Sequence, residues 1–219
     1  MDKKQKRERI QKRIAKEFKD GDYVNLGIGL PTGVADFIPD EVTIHFQSEN
    51  GIMGVGPKPA AGEEIPDLIN AGGGPITAKD GASYFDSVTS FSIIRGGHID
   101  FTVLGTLQVD AQGNVANWSI PGKIVPGIGG AMDLVSGAKQ VIVATLHLDK
   151  YGKSKILKKC TLPLTGKGVV NLIVTDMAVI KVVDEGLKLI DIAEDTTVEK
   201  VIEATEPQLI IPDKVGIFS

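Results

Sequence analysis

Apolar positions change their spacing several times along the chain, and each change predicts an element. Ile10, Ile14 and Phe18 recur at helical spacing inside a basic segment, which predicts an amphipathic helix over residues 3–19, ended by Asp20, Gly21 and Asp22. Residues 23–26 predict a short strand that runs into a glycine-rich turn over residues 27–33 and a short helix over residues 34–38. Residues 42–46 are β-branched, aromatic and largely apolar, and predict the next strand. Strand, glycine turn, helix and strand in that order form the start of a βαβ unit, with parallel strands.

Further along, residues 54–86 hold Pro57, Pro59, Pro66, Pro75 and three consecutive glycines from Gly72. A loop of that length in a compact domain is expected to be functional or covered by a partner. Residues 87–94 fit a helix or a strand, and residues 99–107 a strand. A turn is predicted over residues 110–114. A second glycine-rich segment covers residues 126–133, followed by a short helix over residues 133–138. Residues 139–145 and 169–174 read as buried strands, residues 178–190 as a hairpin turning at Asp184, Glu185 and Gly186, and residues 197–204 as a last helix. The expected fold is α/β, an open, mainly parallel sheet flanked by helices, in one domain over residues 1–219.

Composition narrows the function. With 219 residues, 42% hydrophobic and 24% charged, the chain can bury a full core. A formal charge of −4 gives no electrostatic reason to expect nucleic acid as a partner. The basic cluster in the first nineteen positions reads as a solvated helix face. No apolar run approaches the roughly 20 residues that span a bilayer, so no membrane is expected. The single cysteine, Cys160, allows no intramolecular disulfide and fits a reducing compartment, with the cytoplasm as the expected location. Lys158 and Lys159 are able to lower its thiol pKa, but no dedicated base accompanies it, so Cys160 reads as structural.

Candidate chemistry centres on Glu49 in Gln47-Ser48-Glu49-Asn50-Gly51. An acid at the end of a buried strand, beside glycine-rich backbone, is where open α/β sheets place groups that meet ligands. Such a carboxylate can act as base, metal ligand or covalent nucleophile, or be an ordinary solvated loop acid. Gly27, Ile28 and Gly29 follow a strand but miss the dinucleotide fingerprint, and no Walker lysine follows. The loop is either an anion cradle of backbone N–H groups or a tight turn needing small residues. Gly127 to Met132 permit close backbone approach, and N–H groups at the following helix start are able to bind an oxyanion. His45, His98 and His147 lack metal-ligand spacing, so no metal site is expected, and His45 reads as a core or supporting histidine.

The Gln47–Gly51 motif resembles the class I coenzyme A transferases, specifically their B subunits of the 3-oxoacid and butyrate–acetoacetate type. The resemblance covers nearly the whole chain. It includes Asn25-Leu26-Gly27-Ile28-Gly29-Leu30-Pro31, Arg95-Gly96-Gly97-His98, Gly113-Asn114-Val115-Ala116-Asn117-Trp118, Gly129-Gly130-Ala131-Met132-Asp133 and Cys160-Thr161-Leu162-Pro163-Leu164-Thr165-Gly166. The likeness implies a CoA-transferase-like fold and a glutamate nucleophile at Glu49, with ping-pong transfer of CoA through an acyl anhydride and a glutamyl-CoA thioester. It implies a backbone oxyanion donor at Gly130. Asn25, Gly27, Gly29, Asn50, Gly129 and Ala131 are the implied substrate- and CoA-binding positions. It further implies coenzyme A as substrate with no permanently bound cofactor, and a separate CoA-transferase α partner (the A subunit) in an α2β2 heterotetramer. Where eukaryotic members carry a CoA-contacting lysine, this chain has Gly73, with Lys79 a few residues on. Two alternatives stand beside this: a non-catalytic partner chain, and an acyl-CoA hydrolase using the same glutamate.

Overall fold

The computed structural model describes residues 1–122 and 127–219; Pro126, which opens the second glycine segment, lies outside them. Helix α1 (Lys3–Ala15) is closed at its N-terminus by Asp2, whose side chain accepts from the Gln5 N–H while the Gln5 side chain returns to the Asp2 N–H. It is shorter than the predicted 3–19, and Phe18 reaches the core from the chain beyond it. Strand β1 (Tyr23–Leu26) follows, then a 3₁₀ helix (Pro31–Phe37) rather than an α-helix.

Strand β2 (His45–Ser48) starts three residues later than predicted, because residues 42–44 are held elsewhere. Thr43 N–H donates to Asp20, and Thr43 O accepts from Gly21 N–H, so this stretch is bound to the turn after α1. β3 (Ile52–Val55) and β4 (Ala78–Tyr84) come next, β4 falling inside the segment expected to be loop. Asp86 caps α2 (Ser87–Arg95) through Thr89 N–H, which decides the ambiguous segment in favour of helix. The remaining elements are β5 (Phe101–Gly105), β6 (Gln108–Asp110), β7 (Val115–Ala116), α3 (Ala131–Gly137), β8 (Gln140–Ala144), β9 (Ile156–Leu157), β10 (Leu172–Val174), the hairpin β11 (Ala178–Val183) and β12 (Gly186–Ala193), α4 (Val198–Ala204), β13 (Leu209–Ile210) and β14 (Gly216–Phe218).

Eleven strands form one sheet in the order β13-β12-β11-β10-β8-β5-β1-β2-β3-β4, with β14 also on β12. Its centre, β10-β8-β5-β1-β2, is wholly parallel, and antiparallel strands flank it. The architecture is the expected α/β sheet. Side chains leave the central strands on alternate faces. Val24, Phe46, Val103 and Ile142 pack beneath α1 with Ile10 and Ile14. Leu104, Val141 and Val143 pack on the opposite face with Ile94 of α2 and Leu134 of α3. Both faces are therefore dry, as a parallel sheet requires. A small second sheet, β7-β6-β9, lies outside the main one.

Candidate active site

Three strands of the parallel centre end together. β1 ends at Leu26, β2 at Ser48 and β5 at Gly105, and the residues just past those ends line the clefts around Glu49. Glu49 itself opens a three-residue hairpin connection from β2 to β3, where Ser48 pairs with Ile52. The connection closes through Gly51 N–H to Ser48 O at 3.0 Å. Only glycine fits its last position: Gly51 has φ +121°, and a Cβ there would lie 2.1 Å from Phe85 O.

The residues on either side of Glu49 build its surroundings. Ser48 Oγ accepts from Ala71 N–H at 3.0 Å, and Asn50 Nδ2 donates to Ile69 O at 2.7 Å. Both fasten the loop that follows, whose own fold rests on Asn70 Oδ1 accepting from Gly72 and Gly74 N–H. That loop walls a cleft of about 230 Å3 with Ile28, Ser48 and Glu49. A second cleft, of about 530 Å3, lies against Glu49 and is lined by Gly27, Gly105, Trp118, Gly129, Gly130 and Ala131. Glu49 is thus shared between two clefts. A third cavity, of about 570 Å3, meets the first at Ser48, Asn70 and Gly74 and carries Lys58 and Lys79.

Glu49 is half-buried and takes part in no ion pair among the described residues. Its Oε2 accepts from Asn25 Nδ2 at 3.1 Å. Asn25 is fully buried under the carboxylate, so it meets Glu49 rather than open cavity. Gly130 is buried at the start of α3, and a Cβ added to it would lie 3.3 Å from Glu49 Cγ. Gly130 therefore lies with its backbone against the carboxylate stem. α3 is held to α2 by Arg95 Nε donating to Asp133 at 2.7 Å.

Five of the eight positions named from sequence line the clefts around Glu49 or are Glu49 itself: Glu49, Gly27, Gly129, Gly130 and Ala131. Asn25 lies directly beneath. Asn50 shapes the wall from an exposed position, and Gly29 is exposed and outside the cleft linings. The anion cradle at Gly27 is not formed by its own N–H, which donates to Val103 O at 2.8 Å. Ala131 N–H is turned to Ile128 O at 3.3 Å. Gln47 and Ser90 were not apparent from sequence as site residues, yet both are buried and join the Asn25 network. The available signal for Gln47 is a glutamine that closes the largely apolar strand two residues before Glu49.

The remaining titratable candidates lie elsewhere. His45 is half-buried and stacks on Tyr23 at the other end of β2, so it is not a core residue, and His98 is exposed. His147 is fully buried between Thr175 and Thr205, and burial pushes its pKa down to about 4. Cys160 has its pKa pushed up to about 12 by burial and by the nearby Asp110 carboxylate, so the two lysines do not activate it. No group of three or more His, Cys, Asp or Glu among the described residues is placed to hold a metal ion, and no helix there is long and apolar enough to cross a membrane.

Residues 7–204 match the family model described as Coenzyme A transferase. The chain is 52% identical, over 97% of its length and 98% of the other's, to the B subunit of a probable succinyl-CoA:3-ketoacid coenzyme A transferase of Bacillus subtilis. It is 52% identical, over 91% of both chains, to the beta subunit of an acetate CoA-transferase of Escherichia coli. Its fold superposes on a crystal structure of an acyl-CoA transferase from Escherichia coli O157:H7 with a TM-score of 0.76 at 21% identity. There the chain is covered over 98% of its length but spans only 43% of that larger protein.

Proposed function

The chain belongs to the coenzyme A transferase family, and we propose that it is the catalytic β chain (the B subunit) of a CoA-transferase of the 3-ketoacid or acetate type, working through Glu49. One observation carries this: a carboxylate without an ion pair among the described residues stands at the end of β2 between two clefts, with a buried amide donor under one oxygen and glycine backbone against its stem.

The chemistry needs each part. A Glu49 oxygen attacks the thioester carbonyl of an acyl-CoA, the C–S bond breaks, and CoA leaves as thiolate. This forms an anhydride between Glu49 and the acyl group. The thiolate then attacks the Glu49 carboxyl carbon. The bond from that carbon to the bridging oxygen breaks, the first acid departs as carboxylate, and a glutamyl-CoA thioester remains. A second carboxylate runs both steps in reverse. Every attack builds an oxyanion, and losing one preorganised donor costs about 100- to 1,000-fold in rate. We assign the backbone at Gly130 to that task for the acyl carbonyl. Asn25 Nδ2, 3.1 Å from Oε2, takes it for the Glu49 carbonyl.

The cleft walled by the Asn70–Gly74 loop is the side we assign to the CoA arm, and the glycine-lined cleft holds the acyl group. Gly73 leaves no lysine on the loop, but Lys79 and Lys58 line the adjoining cavity and supply positive charge for CoA phosphates. Relatives named as B or beta subunits support an α partner; we propose that it completes the site, in an α2β2 assembly. The test is Glu49→Gln in the complex reconstituted with that α partner. Transfer from acyl-CoA to acetate or a 3-oxoacid should fall to background. Retained turnover would assign Glu49 a structural role instead. Acid release without an acceptor carboxylate would make the protein a hydrolase.

A further inference from the structure

Beneath Glu49, the apolar face of the sheet is crossed by a row of polar side chains. Gln47, Asn25 and Thr102 are register partners on β2, β1 and β5, and they leave the sheet on the side covered by α2. Gln47 is 3% exposed; Asn25, Thr102 and Ser90 are 0% exposed. Asn25 Nδ2 donates to Gln47 Oε1 at 2.6 Å and to Glu49 Oε2 at 3.1 Å, with the main-chain Gln47 O a longer contact at 3.3 Å. Gln47 is anchored from the far side by its Nε2 donating to Ser90 Oγ at 2.8 Å.

An asparagine amide has two orientations, and only one serves Glu49. Turned over, Asn25 would set its oxygen against Gln47 Oε1, the Gln47 main-chain O and a carboxylate, three contacts between acceptors. The orientation present leaves Asn25 Oδ1 buried with no partner among the described residues. A buried acceptor without a partner is unfavourable, so something must oppose the flip. Gln47 Oε1, the Glu49 carboxylate and, at the longer distance of 3.3 Å, the main-chain Gln47 O are the groups that do, and Gln47 Oε1 is the closest of those still present when Glu49 has been converted to anhydride or thioester.

We propose that Gln47, held in place by its hydrogen bond to Ser90, is a positioning residue that fixes the Asn25 amide so that its N–H faces Glu49 throughout the reaction. The proposal rests on Glu49 being the nucleophile. Gln47 touches no substrate; it acts through Asn25.

A double-mutant cycle on the complex reconstituted with the α partner tests it. Gln47→Met removes the acceptor with little change of volume. It should lower kcat about tenfold with KM for acyl-CoA nearly unchanged. In an Asn25→Ala background, the same substitution should lower kcat less than about twofold further, because the group it controls is gone. Equal losses in both backgrounds, or a folded Gln47→Met complex within twofold of wild type, would overturn the proposal. Should Gln47→Met fail to assemble, Ser90→Ala replaces it in the same cycle, with Ser90→Thr expected to retain activity through its hydroxyl. A Glu49→Gln control separates the two levels. Inactive Glu49→Gln with silent Gln47→Met removes only the positioning role, whereas active Glu49→Gln removes both.

Discussion

Gly130→Ala should impair catalysis while leaving the fold intact. The added methyl would lie 3.3 Å from Glu49 Cγ and 3.3 Å from Phe91 Cζ. Carbon atoms rest at roughly 3.5–4.0 Å, so a neighbour must yield by about 0.2–0.7 Å. Phe91 packs against the buried core on one side and carries Arg95, tied to Asp133, over its ring. The Glu49 side chain turns instead. A misplacement of about 1 Å costs on the order of 100-fold, so 0.2–0.7 Å corresponds to about a three- to 25-fold loss of kcat. Gly130 has φ −81° and ψ 2°, which alanine adopts without strain. Stability should therefore change by less than about 1 kcal/mol. The assay is CoA transfer by the reconstituted complex, with thermal unfolding of the same samples. A stable variant at the wild-type rate would show that Gly130 does not press on a reacting carboxylate.

Other consequences follow from particular contacts. His147 titrates near 6.5 when unfolded and at about 4 when buried, so the unfolded state binds the proton first as pH falls. Stability from this residue is full above pH 6.5 and is lost progressively, by about 3 kcal/mol, down to pH 4; His147→Gln should flatten that part of a denaturant-derived stability profile, and an unchanged slope would contradict the assignment. Gly51→Ala should destabilise by about 2 kcal/mol or more, through its positive φ and the clash with Phe85 O, seen as a lower midpoint in urea; an unchanged midpoint would show that the hairpin relaxes freely. Cys160, its thiol pKa raised to about 12, should react with a thiol reagent at pH 8 far more slowly in the native than in the unfolded protein; fast native modification would refute its burial.

Much of the fold was legible because local chemistry and tertiary structure agree. The hairpin at Asp184–Gly186 has a turn residue at φ +132°, and the last helix has Thr197 as its cap. The strand before Glu49 was legible in kind but not in register, since Thr43 is captured by Asp20 and Gly21 across the chain. The small sheet was illegible. Its strands β7 and β9 have two residues each, and they are held by distant side chains such as Asp110, which accepts from Cys160 N–H, and Gln108, which accepts from Thr161 and Leu162 N–H. The same limit applied at the site. Glu49 and the glycines around it stand out as a motif, and the family resemblance singled out Gly130 and Asn25. Gln47 and Ser90 meet Asn25 only after β1, β2 and α2 have packed.

The most direct test of Glu49 as the covalent centre is a trapping experiment. The reconstituted complex is incubated with acyl-CoA and no acceptor acid, treated with borohydride, digested and analysed by mass spectrometry. A glutamyl-CoA thioester would be reduced to the alcohol, so the peptide carrying Glu49 should lose one oxygen and gain two hydrogens, only when acyl-CoA is present. An active complex in which Glu49 remains an unmodified carboxylate would contradict covalent catalysis at this residue.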